Sequence, residues 1–304
     1  MTTLALRHLR YFEALAQHGH FGRAAEALGI SQPALSIQMK EMEEIVGGPV
    51  VERGARQVQL TSLGEMLLLR GRDILRAVDE LSSLARTTSE ELTGRLRVGV
   101  IPTVAPYFLP KVIEVLAERC PAVDLHLREA VTQKLVSDLV EGRMDIAIVA
   151  LPVSAPTLEE HPLFTEEFVL VRPEADAAKP VPRAELLREM RLLLLEEGHC
   201  FREQALSFCK MTVPHSRDLM EASSLSTLVQ MVGAGIGVTL IPEMAIGIET
   251  CSSAVSIARL KAPRPTRTIG LIWRKTNPLG RQFAKLTRIL KDVVPLSSPP
   301  SSQS

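Results

Sequence analysis

The stretch Phe21 to Ser36, FGRAAEALGISQPALS, constrains the chain most. Ala24, Ala25 and Leu28 predict a short helix whose small side chains allow close packing. Gly29 supplies the left-handed turn that a tight corner between helices needs. Ser31 is a favoured N-cap, and Pro33 is tolerated in the first turn of the next helix. That second helix packs through Leu35, Met39, Met42 and Val46, leaving Gln32, Ser36 and Lys40 at a spacing of four on the opposite stripe. A helix over residues 5–17, with Leu6, Leu9, Phe12 and Leu15 on one side, precedes the pair. The pattern predicts a helix-turn-helix with an exposed second helix. Its uncharged polar start suits a DNA major groove, where Gln bonds an adenine edge and Ser several bases.

Residues 50–60 carry Gly54 between two short extended runs and predict a hairpin wing, with Arg53 and Arg56 placed for phosphates. Residues 1–90 hold ten Lys+Arg against eleven Asp+Glu, so bulk charge gives no nucleic-acid footprint. The motif Phe-x-Arg-Ala-Ala-x-x-Leu-x-Ile-Ser-Gln-Pro-Ala-Leu-Ser is, however, very similar to the helix-turn-helix of the LysR-type transcription regulators. The resemblance implies binding to double-stranded promoter DNA, with Gln32, Pro33 and Ser36 at the groove. One departure stands out. The family usually has Leu-Gly-x-x-Leu-Phe before the wing, whereas Val46-Gly47-Gly48-Pro49-Val50-Val51 stands here and predicts a looser approach to the hairpin. His18 and His20 read as surface residues.

Residues 61–88 contain no proline. Leu67, Ile74 and Leu81 repeat every seven, each followed four residues later by Gly71, Val78 or Ala85. This is an a/d seam of about three heptads and predicts a dimerisation helix. Two half-sites on DNA also call for two recognition helices. The resemblance implies the same use of this helix and a homodimer or homotetramer.

A chain of 304 residues suggests two or three domains. Residues 87–94 read as a hinge, after which strands and helices alternate. Strands are expected at 95–101, 123–129, 144–151, 168–172, 191–195, 237–241 and 267–273. Helices are expected at 105–119, 132–141, 224–233 and 280–293, and the Ser/Pro-rich residues 295–304 read as a disordered tail. Such alternation predicts an α/β body with largely parallel sheets. The expected division is a winged helix-turn-helix over 1–60, a linker helix over 61–90 and a regulatory domain over 91–304. The LysR-type resemblance implies that the last is two-lobed, like a periplasmic binding protein. Lobe I would take about 95–165 and 268–295, and lobe II about 166–267. The ligand cleft then lies between the lobes at helix N-termini.

The second telling stretch is GHCFREQALSFC, Gly198 to Cys209. Phe201, Ala205 and Phe208 form one apolar helical face. Nine helical steps would separate the two sulfurs by roughly 13 Å along the axis. A disulfide needs its Cα atoms within about 4.4–6.8 Å. A bridge between them would therefore unwind the segment, which makes it a potential switch. A helix N-terminus and nearby cations favour a thiolate, and Cys200 follows Gly198 at a helix start, with His199 and Arg202 close in sequence.

Composition narrows the setting. Lys+Arg and Asp+Glu both count 35, and no run of 18 uncharged apolar residues predicts a membrane span. The N-terminus lacks the features of a signal peptide, so a cytoplasmic chain is expected, in which cysteines are thiols. There is no Cys-x-x-Cys zinc pattern, nucleophile-elbow motif, phosphate loop or His-x-x-x-His pair, so no metal, no cofactor and no enzyme activity are expected. Cys120 and Cys251 read as incidental.

The run from Leu193 through Cys209 closely resembles the redox loop of the peroxide-sensing branch of the LysR-type regulators. That implies Cys200 as the sensor thiol for hydrogen peroxide and Cys209 as the resolving thiol in a reversible Cys200–Cys209 disulfide. Thr103, Thr132, His199 and Arg267 would surround Cys200, with Arg267 stabilising thiolate and leaving hydroxide. The resemblance further implies refolding that alters DNA binding and antioxidant-gene transcription, RNA polymerase as a partner, and resetting by a glutaredoxin- or thioredoxin-type reductant. Two rivals remain: a LysR-type regulator with a small-molecule co-inducer in the same cleft, and a thiol peroxidase that binds no DNA.

Overall fold

The structure, a computed structural model, describes residues 3–52, 58–84, 91–182, 186–187, 190–208 and 220–292. Arg53, Arg56, Cys209, residues 87–90 of the expected hinge and the 295–304 tail lie outside the described residues. The chain divides into two compact units, Met1–Ala85 and Arg86–Ser304.

The first unit contains α1 (Leu6–His18), α2 (Phe21–Ala27), α3 (Gln32–Val46) and α4 (Ser62–Leu84). Its core joins Leu9, Phe12 and Leu15 of α1 to Ala24 and Ala25 of α2 and to Leu35, Met39 and Met42 of α3. Gly29 makes the corner at φ +67°. Ser31 Oγ accepts the Ala34 N–H at 3.3 Å and so caps α3. His20, expected only as a surface residue, caps α2: its Nδ1 accepts the Gly22 N–H at 3.0 Å.

The approach to the wing is pinned, contrary to the looseness expected. Val50 is fully buried, and its N–H donates to Glu43 Oε1 at 2.9 Å. The Thr61 hydroxyl donates to the Pro49 carbonyl at 2.7 Å, and Val51 bridges Leu60 across the hairpin. Side-chain and backbone bonds thus add to the apolar anchor that buried Val50 supplies.

The expected seam of α4 divides between two faces. Leu67, Leu68 and Leu75 pack into the unit's own core, and Leu9 Cδ2 lies 3.3 Å from where a Cβ on Gly71 would sit. Met66, Leu69, Ile74 and Leu81 are exposed. A heptad pattern records apolar spacing, not which face already has a partner.

The second unit contains β1 (Gly94–Val100), α5 (Ala105–Arg119), β2 (Val123–Glu129), α6 (Thr132–Val140), β3 (Ile146–Leu151) and β4 (Leu158–Pro173). There follow β5 (Leu194–Leu195), α7 (Cys200–Phe208), β6 (Glu221–Ala222), α8 (Leu225–Gly233), β7 (Thr239–Pro242), α9 (Ile246–Glu249), β8 (Val255–Arg259), β9 (Thr266–Arg274) and α10 (Gly280–Lys291). The sheets are mixed rather than largely parallel. β1 pairs parallel with β2 and β3, and β5 with β6, whereas every described pairing of β4 and β9 is antiparallel.

Two cores define two lobes. Lobe I packs β1, β3 and the later part of β9 against α5, α6 and α10. Lobe II packs the later part of β4, β5 and β7 against α7 and α8. The long strands β4 and β9 run through both lobes as an antiparallel pair, with Thr165 opposite Thr268 and Glu166 opposite Arg267. The pair carries the chain out of lobe I and back, and so fixes which residues meet at the boundary.

Candidate functional site

α7 begins at Cys200, as the sequence predicts, after Gly198 turns the chain at φ +94°. The helix straddles the lobe boundary. Phe201, Ala205 and Leu206 are buried in the core of lobe II, whereas half-buried Cys200 packs against that of lobe I.

Cys200 lines a cleft of about 630 Å³ together with Thr132, Val136, Leu151, Gln204 and Thr266, among others. Thr132 reaches it from the start of α6, directly after β2. Two residues of this lining, Thr132 and Gln204, each carry a buried side-chain oxygen, Oγ1 and Oε1, without an intramolecular hydrogen bond. Leaving such groups unpaired costs stability unless a bound molecule or water pairs with them.

Arg267 is 2 % exposed. Its Nη1 donates to Thr103 Oγ1 at 2.8 Å and its Nη2 to the Thr103 carbonyl at 2.9 Å. Its Nε donates to Glu166 Oε1 at 2.8 Å, while Glu166 Oε2 accepts the Met244 N–H at 3.1 Å. The guanidinium also lies 5.4 Å from the centre of the Phe201 ring, the residue after Cys200. Arg267 therefore enters the site paired with Glu166, not as a lone cation for the sulfur. Its bonds fix Thr103 and back the helix that bears the thiol.

Thr103 and His199 line a separate, smaller cavity of about 110 Å³ with Tyr107, Glu129, Ser224 and Glu249. The structure thus gathers Cys200 and Thr132 on one cavity, and Thr103 and His199 on another. Burial lowers the His199 pKa below its ordinary value, against the opposing pull of Glu196 and Glu129. Burial thus favours the neutral imidazole at His199. Tyr107 crosses between lobes: it stands on α5, packs against the core of lobe II and donates to Glu249 Oε1 at 2.5 Å. Burial, reinforced by that bond, raises the phenol's pKa far above its usual range.

Arg202, the other cation close to Cys200 in sequence, is bound away from it. Its Nη1 donates to the Leu195 carbonyl at 2.9 Å and pairs with Glu221 Oε1 at 2.6 Å, tying α7 to β5 and β6. Cys120 is half-buried, and burial raises its pKa, which suits an unreactive thiol. Exposed Cys251 donates to the Gly247 carbonyl.

The sequence reading missed Gln204, Glu166 and Tyr107. Gln204 had a signal, since it lies one helical turn after Cys200. The other two find their partners only across the fold.

In the first unit, α3 exposes Gln32, Pro33 and Lys40 and half-exposes Ser36. Among the described residues, no helix is long and apolar enough to cross a membrane, and no cluster of three His, Cys, Asp or Glu residues could hold a metal ion.

Comparison with known families matches residues 6–65 to the bacterial regulatory helix-turn-helix protein, lysR family, and residues 89–295 to the LysR substrate binding domain. The chain belongs to the LysR family of DNA-binding transcription regulators, and within it to the hydrogen-peroxide-sensing OxyR type. It is 41% identical over 295 residues to a probable hydrogen peroxide-inducible genes activator of Streptomyces viridosporus, covering 95% of this chain and 94% of that one. It is 38% identical over 290 residues to the DNA-binding transcriptional dual regulator OxyR of Escherichia coli K12, with 94% of each covered. A hydrogen-peroxide-bound mutant OxyR from Corynebacterium glutamicum superposes with a TM-score of 0.64 at 34% identity, covering 96% of this chain and 92% of that one.

Proposed function

We propose that Cys200 is the thiol that hydrogen peroxide oxidises and that Cys209 resolves the product. The observation that carries this reading is the position of Cys200 at the start of α7, on a cleft lined also by Thr132 and Gln204, each with a buried side-chain oxygen that has no hydrogen bond within the protein. Each peroxide oxygen can donate and accept, so peroxide suits both groups. The Cys200 thiolate attacks one peroxide oxygen, the O–O bond breaks, and the other oxygen leaves as hydroxide, which takes a proton to become water. The Cys200 sulfenic acid then condenses with the Cys209 thiol, forming the S–S bond and releasing water. Unwinding of α7 frees Phe201 from the boundary between lobes and passes the change to the rest of the protein. Thr103 and His199, held beside the site by Arg267 and by burial, support the same helix.

On this reading Gln32, Pro33 and Ser36 face base edges, and Lys40 meets phosphate on promoter DNA. The protein acts in the cytoplasm as a homodimer or homotetramer. It engages RNA polymerase, is reset by a glutaredoxin- or thioredoxin-type reductant, and regulates transcription without catalytic turnover. The test is mass mapping of peptides spanning Cys200 and Cys209 before and after near-stoichiometric hydrogen peroxide. A Cys200–Cys209 disulfide that dithiothreitol reverses is expected. Survival of both thiols in excess peroxide overturns the reading.

A further inference from the structure

We infer that Ile37 is a specificity-determining residue that reads the 5-methyl group of thymine in the major groove. The inference rests on α3 as the groove helix. The buried stripe of α3 runs through Leu35, Met39 and Met42. The opposite stripe, Pro33, Ile37, Lys40 and Glu44, is exposed along its whole length. Ile37 stands in its middle and is 56 % exposed.

A single exposed apolar side chain is ordinary on a protein surface. The place of Ile37 is not ordinary. One helical turn away on either side stand Pro33 and half-buried Ala34, and Lys40 and Glu41, so Ile37 closes a small apolar patch that borders charged residues. Its branched side chain contributes nothing to the unit's core and is a poorer helix former than Ala, Lys or Glu would be there. The amide of neighbouring Gln38 is committed to Glu41 Oε2 at 2.7 Å, so it does not compete for the same base. In the major groove, the one apolar group on a base edge is the thymine methyl. A groove helix that presents an exposed aliphatic patch next to polar side chains therefore fits a thymine beside the bases assigned to Gln32 and Ser36.

The test begins with a duplex selected by the full-length protein from a random-sequence library. Each thymine is then replaced singly by deoxyuridine, which removes only the methyl. The wild-type protein should bind about fourfold more weakly for one thymine in each half-site, the worth of one buried methyl. Ile37→Ala should bind the thymine and deoxyuridine duplexes equally, and Ile37→Val should keep part of the difference. Because Ile37 is exposed, neither substitution opens the core, and unchanged circular dichroism verifies the fold. The slope of log K against log salt should stay as in the wild type, since an apolar contact releases no counterion. Wild-type protein indifferent to every deoxyuridine replacement overturns the inference, as does an Ile37→Ala protein that keeps the wild-type penalty. Failure to select any duplex would instead count against α3 as a groove helix.

Discussion

Glu166 and Arg267 face each other across the β4–β9 ladder, both buried, with Nε and Oε1 2.8 Å apart. The pair lies where the two strands pass from one lobe to the other, and it holds Thr103 from lobe I and the Met244 amide. A buried pair of this kind adds little over a well-packed apolar substitute, but removing one partner strands the other. Arg267→Met should therefore cost about 3–5 kcal/mol of stability. Arg267→Met with Glu166→Leu should recover much of that loss. Urea denaturation of the three proteins measures it. A single substitution within about 0.5 kcal/mol of the wild type, the usual range for surface changes, would show that the pair is solvated and not structural.

The same geometry explains what could be read from the chain and what could not. The turn at Gly29, the cap at Ser31 and the start of α7 at Cys200 depend on residues within a few positions of each other, and local chemistry specifies them. Thr132 was found by resemblance, and its burial beside Cys200 gives it a physical role. β4 was legible only from Phe168 onward, because Glu159, Glu160, His161 and Pro162 interrupt its apolar pattern. Yet its first half pairs with β9, with one register shift between Pro162 and Phe164. Glu166 and Tyr107 were invisible because their partners, Arg267 and Glu249, lie 101 and 142 residues away. Nor could spacing show that Thr103 and His199 turn toward a different cavity from Cys200.

His199 gives a pH signature. Burial depresses its folded pKa below the unfolded value of about 6.5, so the unfolded chain binds more protons in this range. The stability present above about pH 6.5 is lost as pH falls through the folded pKa. His199→Gln should flatten that part of the profile. Melting temperatures of both proteins between about pH 8 and 5, spanning the ordinary histidine pKa, test this. Parallel curves would remove His199 from the account.

Tyr107 and Glu249 bond across the lobes at 2.5 Å. Tyr107→Phe keeps the ring's packing but leaves a buried carboxylate without its donor. It should cost about 1–3 kcal/mol, and Tyr107→Phe with Glu249→Leu should cost less than the single change. A double-mutant cycle by denaturation measures the coupling. Strict additivity would mean that the contact contributes nothing.

Gly198 sits at φ +94°, and a Cβ there would find Val131 no closer than 3.9 Å. There is room for a methyl group, so the cost of Gly198→Ala is backbone strain, about 1–2 kcal/mol. The strain falls on the turn that aims Cys200, so the cysteine should also react more slowly with peroxide. Calorimetry and stopped-flow oxidation measure the two effects. An unchanged melting temperature would show that the turn relaxes to another conformation.

Thr132 separates stability from sensing most cleanly. Its hydroxyl is buried without an intramolecular partner, so the fold gains nothing from it. Thr132→Val keeps the shape and removes an unpaired polar group, so stability should hold or rise by up to about 1 kcal/mol. If the hydroxyl holds peroxide for the attacking thiolate, the same change removes one hydrogen bond from the transition state. Oxidation of Cys200 should slow about tenfold, the equivalent of ~1.4 kcal/mol. Gln204→Leu, on the same cleft, should behave alike. The combination matters more than either number. A residue that only packs would lower stability and leave the rate alone, whereas one that only binds substrate lowers the rate and leaves stability intact. A Thr132→Val protein that melts early and oxidises at the wild-type rate would place the hydroxyl in the architecture and leave peroxide without its donor on α6.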